Sequence, residues 1–223
     1  MNEILPIYLG KLSGNCYLVK NDQNYILIDT GLRSKRKTLL KELEKYGCHL
    51  GNLKLIIITH GDFDHTGNCA FFQTKFRCRV AIHKEDSPMV ERGDMFINRT
   101  KGNKSLRILI NKVFNFERFT PDLLLEDGNT LQNYGINATI FHIPGHSKGS
   151  IGILTADGHF FCGDLFDNTK TPEINPIMDN PEEALKSVIK LKALEIKEIY
   201  PGHGKPFSVI EFKNFETESR DHP

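Results

Sequence analysis

No stretch of this 223-residue chain is apolar for long enough to span a bilayer. The opening Met1-Asn2-Glu3-Ile4 carries neither the basic region nor the cleavage site of a secretory signal, so export is not expected. Net charge is almost absent: Lys+Arg 29 against Asp+Glu 28 leaves +1, which gives no bulk attraction for a polyanion. The one basic run, Arg33-Ser34-Lys35-Arg36-Lys37, lacks interleaved aromatic platforms. Glu42 and Glu44 follow it, so it reads as a solvated helix start and not as a nucleic-acid patch. Cysteines are few, odd in number and irregularly spaced, at Cys16, Cys48, Cys69, Cys78 and Cys162. That excludes a disulfide framework and fits free thiols in a reducing cytoplasm. A Ser-centred nucleophile elbow is also missing. These absences leave a cytoplasmic globular protein without a nucleic-acid or membrane partner. Oligomeric state is not set by the sequence.

What is present is ordinary in bulk. A hydrophobic fraction of 39% and a charged fraction of 26% fit a packed domain of this length. Strands are expected at 4–9, 15–20 and 25–29, with a turn at Asn21-Asp22-Gln23-Asn24. A helix follows over 34–46, capped by Ser34 and stopped at Gly47. The apolar run at 53–58 is a buried strand, a helix runs from near His65 to about Thr74, and a short strand spans 79–82. Residues 86–118 break the rhythm and read as a cap insertion. Within it, Leu106, Leu109, Ile110 and Val113 mark one helical face over Ser105 to Phe116. Further strands are expected at 122–126, 130–132, 136–143, 150–155 and 159–162, with a tight Asp157-Gly158 turn. A loop from Leu165 to Asp179 leads to a helix that Asn180 caps and Pro181 opens, running to about Leu194. A strand at 197–200 comes last, and the polar tail from Glu216 is expected to fray.

The chemistry is concentrated in Thr59-His60-Gly61-Asp62-Phe63-Asp64-His65. Two imidazoles and two carboxylates follow a buried strand, so they stand at the rim of a sheet. In an extended loop, positions 60, 62 and 64 would project to one side. Such donors suit metal ions, imidazole favouring zinc or iron and carboxylate favouring harder ions. Three later fragments each set a His or Asp near a predicted strand end beside glycine: Pro144-Gly145-His146, Cys162-Gly163-Asp164 and Pro201-Gly202-His203-Gly204.

Taken together and in this order, these fragments resemble the metallo-β-lactamase superfamily. Its pattern is His-x-His-x-Asp-His, a His after Pro-Gly, an Asp after Gly, and a final His in Gly-His-Gly. Leu27-Ile28-Asp29-Thr30-Gly31 is similar to the family's early strand, and the resemblance spans roughly residues 13 to 206. It implies an α/β fold, a four-layer αββα sandwich of two mixed sheets flanked by helices. The whole of 1–223 would form one domain, with the cap at about 86–118. It also implies two divalent metal ions, zinc foremost and iron or manganese as alternatives. By family analogy His60, Asp62 and His146 hold one ion, Asp64, His65 and His203 hold the other, and Asp164 bridges them. Asp64 and Asp164 would be catalytic, in a metal-dependent hydrolase whose metal-bound hydroxide attacks a small-molecule ester, thioester, lactone or phosphoester.

One position departs from the pattern: Asp62 stands where the family usually has its second His. Its carboxylate lowers the charge summed around the ions by one unit and hardens the donor set. That shift favours iron or manganese and keeps a second function open, an iron oxidoreductase acting on oxygen, nitric oxide or a persulfide. Asp29 is expected to orient a ligand through hydrogen bonds. Arg92, Arg99 and Lys148 are the candidates for binding a substrate anion. His142 reads as a satisfied neighbour of the site, His83 as a possible substrate contact, and Cys162 as core.

Overall fold

Residues 3–99, 104–114 and 117–210 are described by a computed structural model. The first sheet contains β1 (Glu3–Ile7), β2 (Cys16–Asn21), β3 (Asn24–Ile28), β4 (Leu53–Ile57), β5 (Arg79–His83) and β6 (Leu123–Leu125), hydrogen-bonded in that order. The first three form an antiparallel meander, and β3 to β6 run parallel. Parallel strands need crossovers. These are α1 (Arg36–Lys45) between β3 and β4, and the pair α2 (Phe63–Thr66) and α3 (Cys69–Phe76) between β4 and β5. Helices α4 (Ser87–Arg92) and α5 (Lys104–Phe114) lie between β5 and β6.

The second sheet comprises β7 (Ala138–His142), β8 (Ile151–Thr155), β9 (His159–Asn168), β10 (Glu173–Ile174), β11 (Glu198–Gly204) and β12 (Phe207–Ser208). Its order is β12-β11-β9-β8-β7, with β10 paired to β9. Only β9 and β11 are parallel, linked by α6 (Pro181–Leu191).

Side-chain alternation explains the four layers. In β2, β3 and β4, Leu18, Leu27 and Ile56 face outward onto Leu39 and Leu43 of α1 and Phe72 of α3. Their neighbours Val19, Ile26, Ile28, Leu55 and Ile57 face inward onto Ile140, Ile151, Ile153 and Phe161 of the second sheet. Phe160 and Cys162 flank Phe161 and point the other way, onto Ala184, Val188 and Leu191 of α6. Period two in each central strand therefore fills two cores at once. Each large side chain removed from water contributes roughly 1.5–3 kcal/mol. This is the αββα sandwich of two mixed sheets. Among the described residues no helix is long and apolar enough to cross a membrane.

Several local expectations change. Residues 130–132 are not a strand: Thr130 makes a single bridge to Thr139, and residues 132–134 form a 3-10 turn. The helix expected from His65 to Thr74 is two helices, broken between Thr66 and Cys69. Ser34 lies in a 3-10 turn and does not cap α1. Asn180 does cap α6, its side chain accepting the Glu183 N–H at 3.3 Å. That helix ends at Leu191, short of Leu194. On α5, Leu109 and Val113 are exposed, so this apolar face does not join the main core. Leu106 and the tail from Glu216 lie outside the residues whose side chains are described.

Candidate metal centre

The rim where both sheets end carries the polar cluster. Asp29 follows β3, His60 and Asp62 follow β4, and His146 follows β7. Asp164 and His203 lie inside strands, because β9 and β11 continue past the expected strand ends. The register between these two parallel strands slips at Pro201 and again before His203, a bulge that re-aims the chain beside Asp164. Gly202 is required there: a Cβ on it would meet Asp164 Oδ1 at 2.0 Å and His65 Cε1 at 2.7 Å. Asn15 and Tyr17 pin the same turn by donating to the Pro201 carbonyl at 3.1 and 2.6 Å.

Two triads of donor atoms come together, His60, His146 and Asp164, and Asp64, His65 and His203. Within each, one ligand atom per residue lies within 4.8 Å of the others. Asp164 faces both. Its Oδ1 is 3.3 Å from His65 Nε2, and its Oδ2 is 3.5 Å from His203 Nε2 and 3.8 Å from His146 Nε2. Asp64 Oδ2 is 3.2 Å from His203 Nε2 and 3.8 Å from His65 Nε2. Residue 64 reaches this place from a helical turn, not from the extended loop expected for positions 60 to 64.

The donors fit cations. His65 Nδ1–H donates to Asp29 Oδ2 at 2.8 Å, and His146 Nδ1–H to the Ile177 carbonyl at 2.6 Å. The Thr59 hydroxyl donates to Asp29 Oδ2 at 2.7 Å, which leaves its oxygen to accept from His60 Nδ1–H at 3.1 Å. Nδ1 is thus engaged in each of these rings and Nε2 turns inward, that of His146 meeting Asp62 Oδ2 at 3.1 Å. His60 Nε2, His65 Nε2 and Asp164 Oδ1 are buried and have no hydrogen-bond partner. Orphaned buried acceptors converging on one point are costly unless an ion satisfies them.

Electrostatics agree. Burial and the neighbouring His65 and His146 hold the His60 pKa well below its ordinary value. At His65, burial is outweighed by Asp164, Asp29 and Asp64, which raise its pKa well above the ordinary value. At His203, burial is outweighed by Asp164 and Asp64, and the pKa is pushed up to about 10. Asp164 is held well below the carboxylate range, because His65 and His203 outweigh its burial. At His65 and His203 the surrounding carboxylates prevail over burial.

Asp62 is at the centre but differs from the expected simple ligand. Its Oδ2 lies 3.1 Å from His146 Nε2 and 3.7 Å from His60 Nε2, while Oδ1 pairs with Arg99 at 2.5 Å. Of the three anion candidates, Arg99 is thus at the cluster and committed to Asp62. Lys148 is exposed in the loop after His146, beside a cleft of about 530 Å³ that Pro144, Ser147 and Asn180 also line. Arg92 is exposed at the end of α4 and makes none of the contacts of Arg99. His142 stacks on His83 at 4.1 Å between ring centroids, and its Nε2 meets the Lys148 carbonyl at 2.8 Å.

Sequence reasoning missed Asp86. It is fully buried and accepts from Gly61 N at 2.9 Å, Ser147 Oγ at 2.6 Å, Gly149 N at 2.8 Å and Asn98 Nδ2 at 3.0 Å. One carboxylate thus ties the loops of His60 and His146 to the segment of Arg99. Its only signal was an acid placed just before a Ser-Pro helix start.

Comparison with known proteins agrees with this geometry. Residues 9–203 match the family model described as the metallo-beta-lactamase superfamily. The hydroxyacylglutathione hydrolase GloC of Haemophilus influenzae is 31% identical over 91% of this chain and 90% of its own length. The human acyl-coenzyme A thioesterase MBLAC2 is 26% identical, covering 86% of this chain and 74% of its own. A solved structure of TTHA1623 in a di-iron-bound form superimposes with a TM-score of 0.71 at 26% identity, covering 94% of this chain and 96% of that one. Family match, sandwich fold and convergent His and Asp donors lead to one conclusion: this chain belongs to the metallo-beta-lactamase superfamily and is a metal-dependent hydrolase.

Proposed function

We propose that the chain is a dinuclear hydrolase of small ester-type substrates, with thioesters ahead of simple esters, lactones and phosphoesters. The position of Asp164 carries this reading. One carboxylate faces imidazoles of both donor triads, an arrangement suited to linking two cations and of little use for one. His60, His146 and Asp164, with the Asp62 oxygen that Arg99 does not hold, would bind one ion, and Asp64, His65 and His203 the other. When bound, such ions supply Lewis acidity and a water that ionises near neutral pH, which replaces the absent serine nucleophile.

The protein's own groups do the rest. Asp29 and Thr59 fix the rings of His65 and His60. Asp64 and His203, the donors with most exposure at 16% and 18%, mark the side from which a substrate carbonyl can approach. Lys148 offers a charge for an anionic acyl carrier beside the cleft. The segment between α4 and α5 contributes Arg99 to the wall. Thioesters come first because the relatives include an acyl-coenzyme A thioesterase and a hydroxyacylglutathione hydrolase. The redox alternative drew on Asp62, through its charge and its harder oxygen donor; Arg99 offsets the charge. Zinc is the first choice of metal, with iron and manganese to be compared. Five buried cysteines, all free thiols, support a reducing, cytoplasmic setting.

The test is a hydrolysis panel on protein reconstituted anaerobically with Zn, Mn or Fe(II). Acyl-coenzyme A, hydroxyacylglutathione, a lactone and a phosphodiester form the panel. Thioester turnover that falls on the order of a hundredfold in Asp164→Asn supports the reading. Turnover unchanged in that variant, or confined to redox assays, would refute it.

A further inference from the structure

Arg99 enters the centre from the segment between α4 and α5. Its side chain is only 9% exposed, and all three guanidinium nitrogens are engaged. Nη2 pairs with Asp62 Oδ1, Nη1 donates to the His146 carbonyl at 3.1 Å, and Nε donates to the Met95 carbonyl at 3.3 Å. Its own carbonyl accepts from Arg107 Nη2 at 3.2 Å, which anchors the segment. Arg99 Nη2 also lies 3.5 Å from His146 Nε2, the atom that an ion in the His60 triad would use. A guanidinium cannot shed its charge at any working pH.

The two triads are therefore not alike. Around Asp64, His65 and His203, the ion pairs run among these residues and to Asp29 and Asp164. In the other triad, a permanent cation stands 3.5 Å from the inward-facing Nε2 of His146. It also holds one of the two oxygens that Asp62 could offer. In a buried site such a charge acts with little screening. An incoming divalent ion meets repulsion there and finds only half a carboxylate.

We propose that Arg99 makes the centre asymmetric: the Asp64, His65 and His203 triad takes the first ion, and Arg99, through Asp62, sets the affinity for the second. This rests on the dinuclear reading above. Arg99 is thus a positioning residue that acts through Asp62. The pair Asp62–Arg99, neutral as a whole, stands where the family has a neutral imidazole, so the charge that Asp62 alone would remove is returned.

Anaerobic titration of metal-free protein with Co(II) and Zn(II), against a chromophoric chelator and with cobalt spectra recorded at each step, tests this. The full chain should bind in two resolved steps, the second at least tenfold weaker. Arg99→Gln should tighten the second step tenfold or more and leave the first within about twofold. Arg99→Lys, which keeps the charge, should stay near the parent. Asp62→Asn should weaken the second step further without touching the first. It carries the test alone if Arg99→Gln does not fold. A role confined to packing predicts instead that Arg99→Gln weakens the second step, and that result overturns the inference. So do two equal steps in the parent, or an Asp62→Asn protein that titrates like it. No uptake of metal at all would remove the dinuclear reading itself, and this inference with it.

Discussion

Asp29 Oδ2 lies 2.8 Å from His65 Nδ1 and 2.7 Å from the Thr59 hydroxyl that in turn meets His60 Nδ1. One buried carboxylate therefore orients an imidazole in each donor triad. Asp29 holds this place at a positive φ of 58°, a backbone conformation that β3 and the loop after it impose. Asp29→Asn should weaken binding of both ions, by roughly tenfold to a hundredfold for loss of such a partner. Thr59→Val removes the hydroxyl that joins Asp29 to His60 and leaves the direct Asp29–His65 bond in place. It should weaken one binding step and spare the other. Chelator competition on the two variants checks this, and equal loss at both steps in Thr59→Val would contradict the relay.

Metal uptake should release protons. Asp164 and Asp64 outweigh burial and push the His203 pKa up to about 10, and His65 and His146 are also raised. A proton held at His203 must be lost before that ring can bind an ion. Affinity should rise with pH across the neutral range, and calorimetry in buffers of different ionisation enthalpy should count the protons. The same shift has a stability consequence of definite sign. A raised folded-state pKa at His203 stabilises the metal-free fold fully below its ordinary value of 6.5, and the contribution is lost as pH rises through about 10. Urea unfolding of the chelator-treated parent and of His203→Gln should thus show a gap at pH 6 that closes toward pH 10. A gap that widens with pH would contradict the sign.

Asp86→Ala leaves the Gly61 and Gly149 amides without their acceptor. Each buried, unsatisfied donor costs about 1–3 kcal/mol, so a loss of roughly 3 kcal/mol or more is expected in urea unfolding. Metal affinity should fall with it, since the loops of His60 and His146 lose their shared anchor. A change under about 1 kcal/mol would show that water replaces the carboxylate.

Much of this was legible in the chain. Family resemblance singled out His60, Asp62, Asp64, His65, His146, Asp164 and His203, and the fold brings all but Asp62 into the two donor triads. The two-sheet order came through family resemblance, since parallel and antiparallel partners leave the same alternation in a strand such as 53–57. Sequence could not show that β9 continues to Asn168, because its polar end, Gly163-Asp164, looks like a loop; pairing with β10 and β11 keeps it extended. Nor could it show the role of Arg99, which is 37 residues from Asp62 and meets it only through tertiary packing. Asp86 was hidden for the same reason: its four partners come from three separate segments.

Lys148 and Arg92 are both exposed and differ in their distance along the fold from the His146 loop. Lys148 lines a cleft next to the His146 loop, whereas Arg92 is exposed at the end of α4. Lys148→Ala should raise KM several-fold for an anionic thioester and much less for a neutral ester, with metal content intact. Arg92→Ala should leave both unchanged. Equal effects of the two variants would place the anion contact elsewhere.

The central claim is that two ions sit on either side of the Asp164 carboxylate. Anomalous diffraction at the zinc edge, from crystals of the reconstituted protein, measures this directly. The account predicts two peaks, one against His60 and His146 and one against Asp64, His65 and His203, with an Asp164 oxygen on each. Peaks that avoid Asp164, or a saturated crystal with no peak at either triad, would contradict it.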